Sequence, residues 1–141
     1  MSNEYKDYMS DLRAIFDDKM REAEFLYDGW RNSFVPKMMN EMFFALGSYV
    51  EDFEVYQIKE KYGSLTIYKG WKDREYTEEE FRDIDNITLE LNTIIEKYRK
   101  ISEHTCVQCG GKATFFSSHW VIPWCDNCRD RKMGVFGIIE D

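Results

Sequence analysis

Apolar positions along the chain fall first into helical spacing, then alternate, then return to helical spacing. Between residues 4 and 27, Tyr5, Tyr8, Met9, Leu12, Ile15, Phe16, Met20, Ala23 and Leu26 recur at steps of three and four. That is the repeat of one face of an α-helix. Charges, among them Asp7, Asp11, Arg13, Asp17, Asp18 and Arg21, fill the other side, and Gly29 marks the expected stop. A second helix is predicted from Pro36, whose missing N–H costs nothing in a first turn. It runs through Met38, Met39, Met42, Phe43, Leu46 and Tyr49, with Gly47 as a soft spot. Methionines among aromatics serve either a core or an adaptable binding surface, and the helical register favours the core.

The period then changes. Phe53, Val55 and Gln57 alternate with Glu54, Tyr56 and Ile58, and a second run, Ser64 to Tyr68, is rich in β-branched and aromatic residues. Gly63 sits between them where a short hairpin loop needs a left-handed residue. Gly70 to Glu75 reads as a polar connection. Thr77-Glu78-Glu79-Glu80 is a capping box, in which hydroxyl and carboxylate satisfy amides reciprocally. Its consecutive acids also suit the positive end of the helix dipole. Phe81, Ile84, Ile87, Leu91, Ile94, Ile95, Tyr98 and Ile101 carry an apolar stripe to residue 102. No internal repeat or flexible linker interrupts the chain.

This long helix leads straight into the four cysteines of the chain. Cys106-Val107-Gln108-Cys109-Gly110 and Trp124-Cys125-Asp126-Asn127-Cys128 are two knuckles, with fifteen residues between Cys109 and Cys125. Two residues between cysteines let a tight turn aim both sulfurs at one ion, and the spacing between pairs is that of a four-cysteine zinc ribbon. Gly110 and Gly111 relieve the backbone as it leaves the first knuckle. Thr114 to Phe116 and Trp120 to Ile122 are strand-like and would bring the knuckles together. The pattern predicts one structural Zn²⁺ held by Cys106, Cys109, Cys125 and Cys128.

A redox dithiol would instead sit singly at a helix start, and a catalytic zinc would keep an open position with histidine or carboxylate ligands. Four thiolates fill the tetrahedron. His104 and His119 are expected on the surface or behind the ligands. Arg129, Arg131 and Lys132 follow the last cysteine, but residues 101 to 141 hold four Lys/Arg against five Asp/Glu, so the segment is not basic. The expected fold class is therefore α+β, with two N-terminal helices, a β-hairpin, a long helix and a C-terminal zinc ribbon. Residues 1–102 form the body and 103–141 the ribbon element, docked as one compact unit of 141 residues.

Bulk composition narrows function further. Apolar content of 43% and aromatic content of 16% belong to a globular protein. A formal charge of −8 repels phosphate backbones and favours a basic protein partner. No basic and apolar leader opens the chain, and no apolar run approaches a bilayer span. Paired cysteines without an export signal point to a reducing compartment, the cytoplasm. No Gly-rich phosphate loop, Gly-x-Ser-x-Gly or His-Glu-x-x-His motif occurs, so no enzyme is expected.

From Gln57 to Tyr68, Gln-Ile-Lys-Glu-Lys-Tyr-Gly-Ser-Leu-Thr-Ile-Tyr, and again at the knuckles, the chain resembles a group of small phage and bacterial proteins. Their hairpin is of the Lys-Glu-Lys-Phe-Gly-Gly-Leu-Arg-Phe-Tyr type, followed by a helix and a cysteine ribbon. Lys59, Glu60, Lys61, Gly63, Leu65, Tyr68, Cys106, Cys109, Gly110, Trp120 and Cys125 fit that pattern; Ser64 and Thr66 depart from it. The resemblance implies the ribbon and a cytoplasmic setting, and brings no activity with it.

The leading expectation is an inhibitor or immunity protein that blocks a basic toxin or nuclease. Its candidate face comprises Asp17, Asp18, Asp52, Glu54, Glu78, Glu79, Asp83 and Asp85, each of which is equally at home on a solvated surface. A second reading is a nucleic-acid-associated regulator placing Arg129, Arg131 and Lys132 on phosphates. A third is an enzyme with a pocket near Trp30, Tyr62 and Trp71.

Overall fold

The computed structural model describes residues 3–117, 121–129 and 135–138, with side chains described for residues 8–117 and 121–129. The fold is α+β, as expected. Helix α1 spans Asn3–Lys19 and buries Leu12 and Phe16. It does not continue as an α-helix to residue 27. Met20–Phe25 tightens into a 3₁₀ segment, and the reason is visible in its packing. Met20, Ala23 and Leu26 are all buried at a spacing of three, which matches three residues per turn.

Gly29 is not a helix stop. It lies inside the one-turn helix α2, Asp28–Arg31, and is buried. Helix α3, Val35–Leu46, carries Pro36 in its first turn and buries Val35, Met38, Met42, Phe43 and Leu46. The methionines thus belong to the core. The helix ends short of Tyr49 because Gly47 turns to φ 55° and donates its amide back to the Phe43 carbonyl.

Strands β1 (Phe53–Lys61) and β2 (Ser64–Trp71) form an antiparallel hairpin with a bulge between Val55 and Gln57. Both strands run three residues beyond their expected ends. Phe53 pairs with Trp71 and Lys61 with Ser64, so Gly70 and Trp71 are ladder and not connection. Tyr62 at φ 53° and Gly63 at φ 85° make a two-residue turn with both centres left-handed, whose twist matches that of the strands.

Helix α4 spans Glu78–Ser102 and begins with the capping box: the Glu80 amide donates to Thr77 Oγ1 at 3.1 Å and the Thr77 amide to Glu80 Oε1 at 2.9 Å. Ile84, Leu91 and Tyr98 are buried at intervals of seven, with Ile94 beside them. Phe81 is exposed and packs on Tyr76 instead. Helix α4 lies against α3, where Tyr98 stacks near Phe34 and donates its hydroxyl to Glu41. Burial, then this bond to a carboxylate, pushes the Tyr98 hydroxyl up to about 12.

The C-terminal strands β3 (Phe115–Ser117), β4 (Pro123–Trp124) and β5 (Val135–Ile138) form an antiparallel sheet in the order β4-β3-β5. The expected strand at Trp120–Ile122 is displaced. Ladder pairing starts at Pro123, because the Ser117 hydroxyl and backbone tie Ile122 into a loop closure. Trp120 lies outside the described residues. Strand β5 has no counterpart in the sequence reading. No described helix is long and apolar enough to cross a membrane.

Candidate metal centre

The first knuckle follows directly from the end of α4. The Cys106 amide donates to the Gly111 carbonyl at 2.8 Å and the Gly110 amide to the Cys106 carbonyl at 3.0 Å, which folds residues 106–111 into a tight loop. Gly110 adopts φ 81°, a left-handed conformation that closes the turn. The second knuckle opens the one-turn helix α5, Asp126–Arg129, with the Arg129 amide donating to the Cys125 carbonyl at 2.8 Å. Within each knuckle an amide also donates to sulfur. Gly111 reaches Cys109 Sγ and Cys128 reaches Cys125 Sγ, both at 3.4 Å. Such bonds stabilise thiolate character.

The four sulfurs of Cys106, Cys109, Cys125 and Cys128 lie within 4.8 Å of one another. All four thiols are free, and the Cys109 and Cys125 sulfurs stand 3.5 Å apart, too far for a disulfide bond. A tetrahedron with metal–sulfur bonds of about 2.3 Å has edges of about 3.8 Å, so the cluster has the size one ion requires. Cys106 and Cys128 are buried, Cys125 is half-buried and Cys109 is exposed. The donor set is therefore four soft sulfurs with no oxygen or nitrogen among them, and it fits a thiophilic divalent metal.

Proton affinities in the cluster diverge as crowded thiols must. Burial, reinforced by the Cys125, Cys106 and Cys109 sulfurs, pushes the Cys128 thiol up to about 12. At Cys125 burial pulls upward, but the Cys128 amide and the neighbouring thiols outweigh it and bring the group down to about 7. Neighbouring sulfurs cannot all carry charge without a cation between them. A divalent ion removes that conflict and displaces the remaining protons.

His104 is not a ligand: its Nδ1 lies 3.1 Å from the Lys100 carbonyl oxygen on α4. His119 lies outside the described residues. Asp126 accepts from the Thr114 hydroxyl at 2.6 Å, which ties the second knuckle to the approach of β3.

The knuckle is seated on the N-terminal helices through backbone. The Gly29 amide donates to the Val107 carbonyl at 2.8 Å. A side chain at Gly29 would drive its Cβ into the Cys106 carbonyl, and one at Gly110 would place its Cβ 2.7 Å from the Gly29 carbonyl. Two glycines thus meet face to face. Beside them the buried Trp30 donates its indole N–H to the Thr105 carbonyl at 2.9 Å. From the other side the Leu65 amide donates to the buried Ser102 hydroxyl at 2.9 Å, and the Ser64 hydroxyl to Glu103 at 2.5 Å. Sequence reasoning missed Gly29 as part of this centre, since a helix-stop glycine and a packing glycine look alike locally.

The eight acidic residues of the expected partner face are only partly gathered. Tyr49 donates to Asp83 at 2.8 Å; that bond, burial, and the charges of Asp83, Glu80 and Glu79 push its hydroxyl up to about 12. Burial and then Asp52, with Glu80 and Glu54 behind it, raise Tyr76. These effects place Asp52, Glu54, Glu79 and Asp83 around one end of the molecule, where α4 begins and β1 starts, with Glu78 in the same first turn. Asp52 is held by Arg74 through bonds of 2.8 and 3.0 Å. Asp17 and Asp18 pair within α1 or its continuation, with Arg13 and Arg21. Asp85 is exposed further along α4.

Arg129 spreads over the Phe115 ring at 3.9 Å, whereas Arg131 and Lys132 lie outside the described residues. Trp30, Tyr62 and Trp71 do not line one pocket. Trp30 is buried, Tyr62 caps the hairpin turn, and Trp71 sits at the opposite end of β2, donating to Thr88 at 3.1 Å. No protein-family model, curated protein or solved structure matches this chain.

Proposed function

We propose that the chain is a non-enzymatic binding module whose C-terminal segment is folded around one structural Zn²⁺. The observation that carries this reading is the convergence of four cysteine sulfurs within 4.8 Å. Cys106, Cys109, Cys125 and Cys128 would hold the ion, which supplies cohesion to a segment with little core of its own. Four thiolates saturate a tetrahedral ion and leave no position for a substrate or an activated water. A reducing, cytoplasmic setting keeps the thiols available. The resemblance of the hairpin and knuckles to small phage and bacterial proteins is in keeping with that setting. Elemental analysis of reduced, purified protein tests the reading: one zinc per chain is expected, and metal-free protein with an intact fold overturns it.

The partner is a basic protein, such as a toxin or nuclease, which the module blocks. Support comes from the charge of −8 and from the acids gathered at the α4 N-terminus and the start of β1. Complementary charge speeds encounter and fixes orientation. Reversal of Glu78 and Glu79 to Lys tests it by titration calorimetry against a basic protein encoded beside this gene. Loss of binding is expected; unchanged binding removes the acidic end from the interface.

A further inference from the structure

The outward face of the hairpin differs from the rest of the surface. Residues opposite each other in an antiparallel ladder share a face. Ile58 pairs with Ile67 and Glu60 with Leu65, and since Ile58 and Leu65 are buried this set looks inward. Gln57 opposite Tyr68 and Lys59 opposite Thr66 therefore look outward. Three tyrosines are left open on or beside this face: Tyr68 is 40% exposed, Tyr56 60% and Tyr62, at the turn, 84%. Lysines accompany the rings. Lys59 Nζ lies 5.3 Å from the centre of Tyr68 and Lys61 Nζ 5.9 Å from that of Tyr62.

Charge is segregated here as well. Residues 53–72 contain four lysines (Lys59, Lys61, Lys69, Lys72) and two glutamates (Glu54, Glu60), an excess of +2 in a chain of −8; Lys59 and Lys61 stand on the outward face, whereas Lys69 follows Ile67 on the inward one. A groove of about 350 Å³ runs beside β1, between Gln57–Glu60 and the 3₁₀ segment, and Phe25 stands on its wall with 79% of its surface exposed.

We propose that this face binds single-stranded nucleic acid, with unpaired bases stacking on Tyr56, Tyr68 and Phe25 and phosphates meeting Lys59 and Lys61. Open rings on a two-stranded ribbon offer π-faces that only unpaired bases can cover. Glu22 and Glu60 line the same groove. Glu60 already accepts from the Gly63 amide at 2.8 Å; Glu22 repels a phosphate but can accept from the exocyclic amino group of a base, so a base enters the groove and the backbone follows the lysines. The small lysine count sets a shallow salt dependence. Two phosphate contacts on a single strand correspond to a loss of about 7-fold in affinity between 50 and 200 mM salt.

The proposal stands apart from the acidic end and the metal, and its test separates them. Fluorescence anisotropy of labelled dC10, whose bases carry the exocyclic amino group, is measured with the full, metal-loaded chain at 50 and 200 mM salt. Saturable binding is expected, weakened about 7-fold by the added salt. Tyr68→Ala should weaken it about 10-fold, the stacking of roughly one base, with metal content and circular dichroism unchanged. Should Tyr68→Ala not fold, Phe25→Ala serves and should weaken binding likewise, because that ring stands 79% exposed and its loss leaves the core intact. Lys59→Glu with Lys61→Glu should abolish binding. No binding at 50 mM salt overturns the proposal. So does binding that survives all these variants, stronger binding of the same sequence as a duplex, or equal displacement by poly-glutamate, which would mark a surface for acidic proteins.

Discussion

Between Leu12 and Leu91 most of the fully buried side chains are large: Phe16, Met20, Trp30, Met38, Met42, Leu46, Phe53, Leu65 and Leu91, with Val35 and Val50 among them. Among the described residues between Cys106 and Cys128 the buried set is Cys106, Val107, Ala113, Ile122, Pro123, Trp124 and Cys128, and the C-terminal strands are two to four residues long. Burial at roughly 25 cal/mol per Å² organises the first region without help. The described residues of the second bury few large side chains to offset the entropy of ordering them, and short strands add few ladder bonds. What one region obtains from volume the other must obtain from coordination. The difference predicts that the two regions respond to different insults.

Metal removal should give the largest effect. Chelation of the reduced protein, or Cys128→Ser, is expected to strip hydrogen-exchange protection from the amides of Cys106, Gly110, Gly111, Ala113 and Thr114. Structural zinc in small fingers contributes on the order of 10 kcal/mol, enough to lose that segment outright. The Gly29 amide should lose protection with them, since its acceptor is Val107, while the amides at the centre of α4 hold. Simultaneous loss across α4 would erase the distinction between the regions. Acid should do the same as chelation, because protons compete with the ion for the thiolates.

Leu91→Ala attacks the other side. It leaves a cavity in a fully buried position of α4 and should cost about 3 kcal/mol in denaturant unfolding, with metal stoichiometry unchanged. Gly29→Ala probes the seam. Its Cβ collides with backbone and not with a movable side chain, so a loss of about 2 kcal/mol is expected, accompanied by weaker metal retention. Unchanged metal affinity in the Gly29→Ala variant would show that the knuckle folds without its seat.

The smallest effect concerns pH. The Arg74 hydrogen bond holds the Asp52 carboxyl below the usual carboxylate range. A group depressed in the folded state stabilises it above its unfolded pKa, about 3.9, and that contribution fades as pH falls through the folded value. Asp52→Asn should therefore lower stability by less than about 1 kcal/mol at neutral pH and flatten the acid limb below pH 4, read by thermal melts.

What the sequence made legible shares one property: the cause lies within a few residues of the effect. The capping box at Thr77, the left-handed turn at Gly63 and the paired Cys-x-x-Cys spacing each write their geometry locally. The α4 stripe was legible because it repeats over many turns. The displaced β4, the unforeseen β5 and the 3₁₀ segment were not, since short elements carry no periodicity and tertiary packing selects them. The Gly29–Gly110 approach is the extreme case. It joins positions eighty-one apart in the chain through bare backbone, and a residue with no side chain leaves no pattern to read.

The indole of Trp30 and the carbonyl of Thr105 are separated by seventy-five positions. A nascent chain therefore exposes its first third long before the acceptor for that ring has been synthesised, and the helices near the start wait for the cysteines near the end. Non-local closure of this kind slows folding relative to a local helical hairpin. Synthesis of Thr105, and not emergence of the early helices, becomes the moment at which the Trp30 indole can find its acceptor.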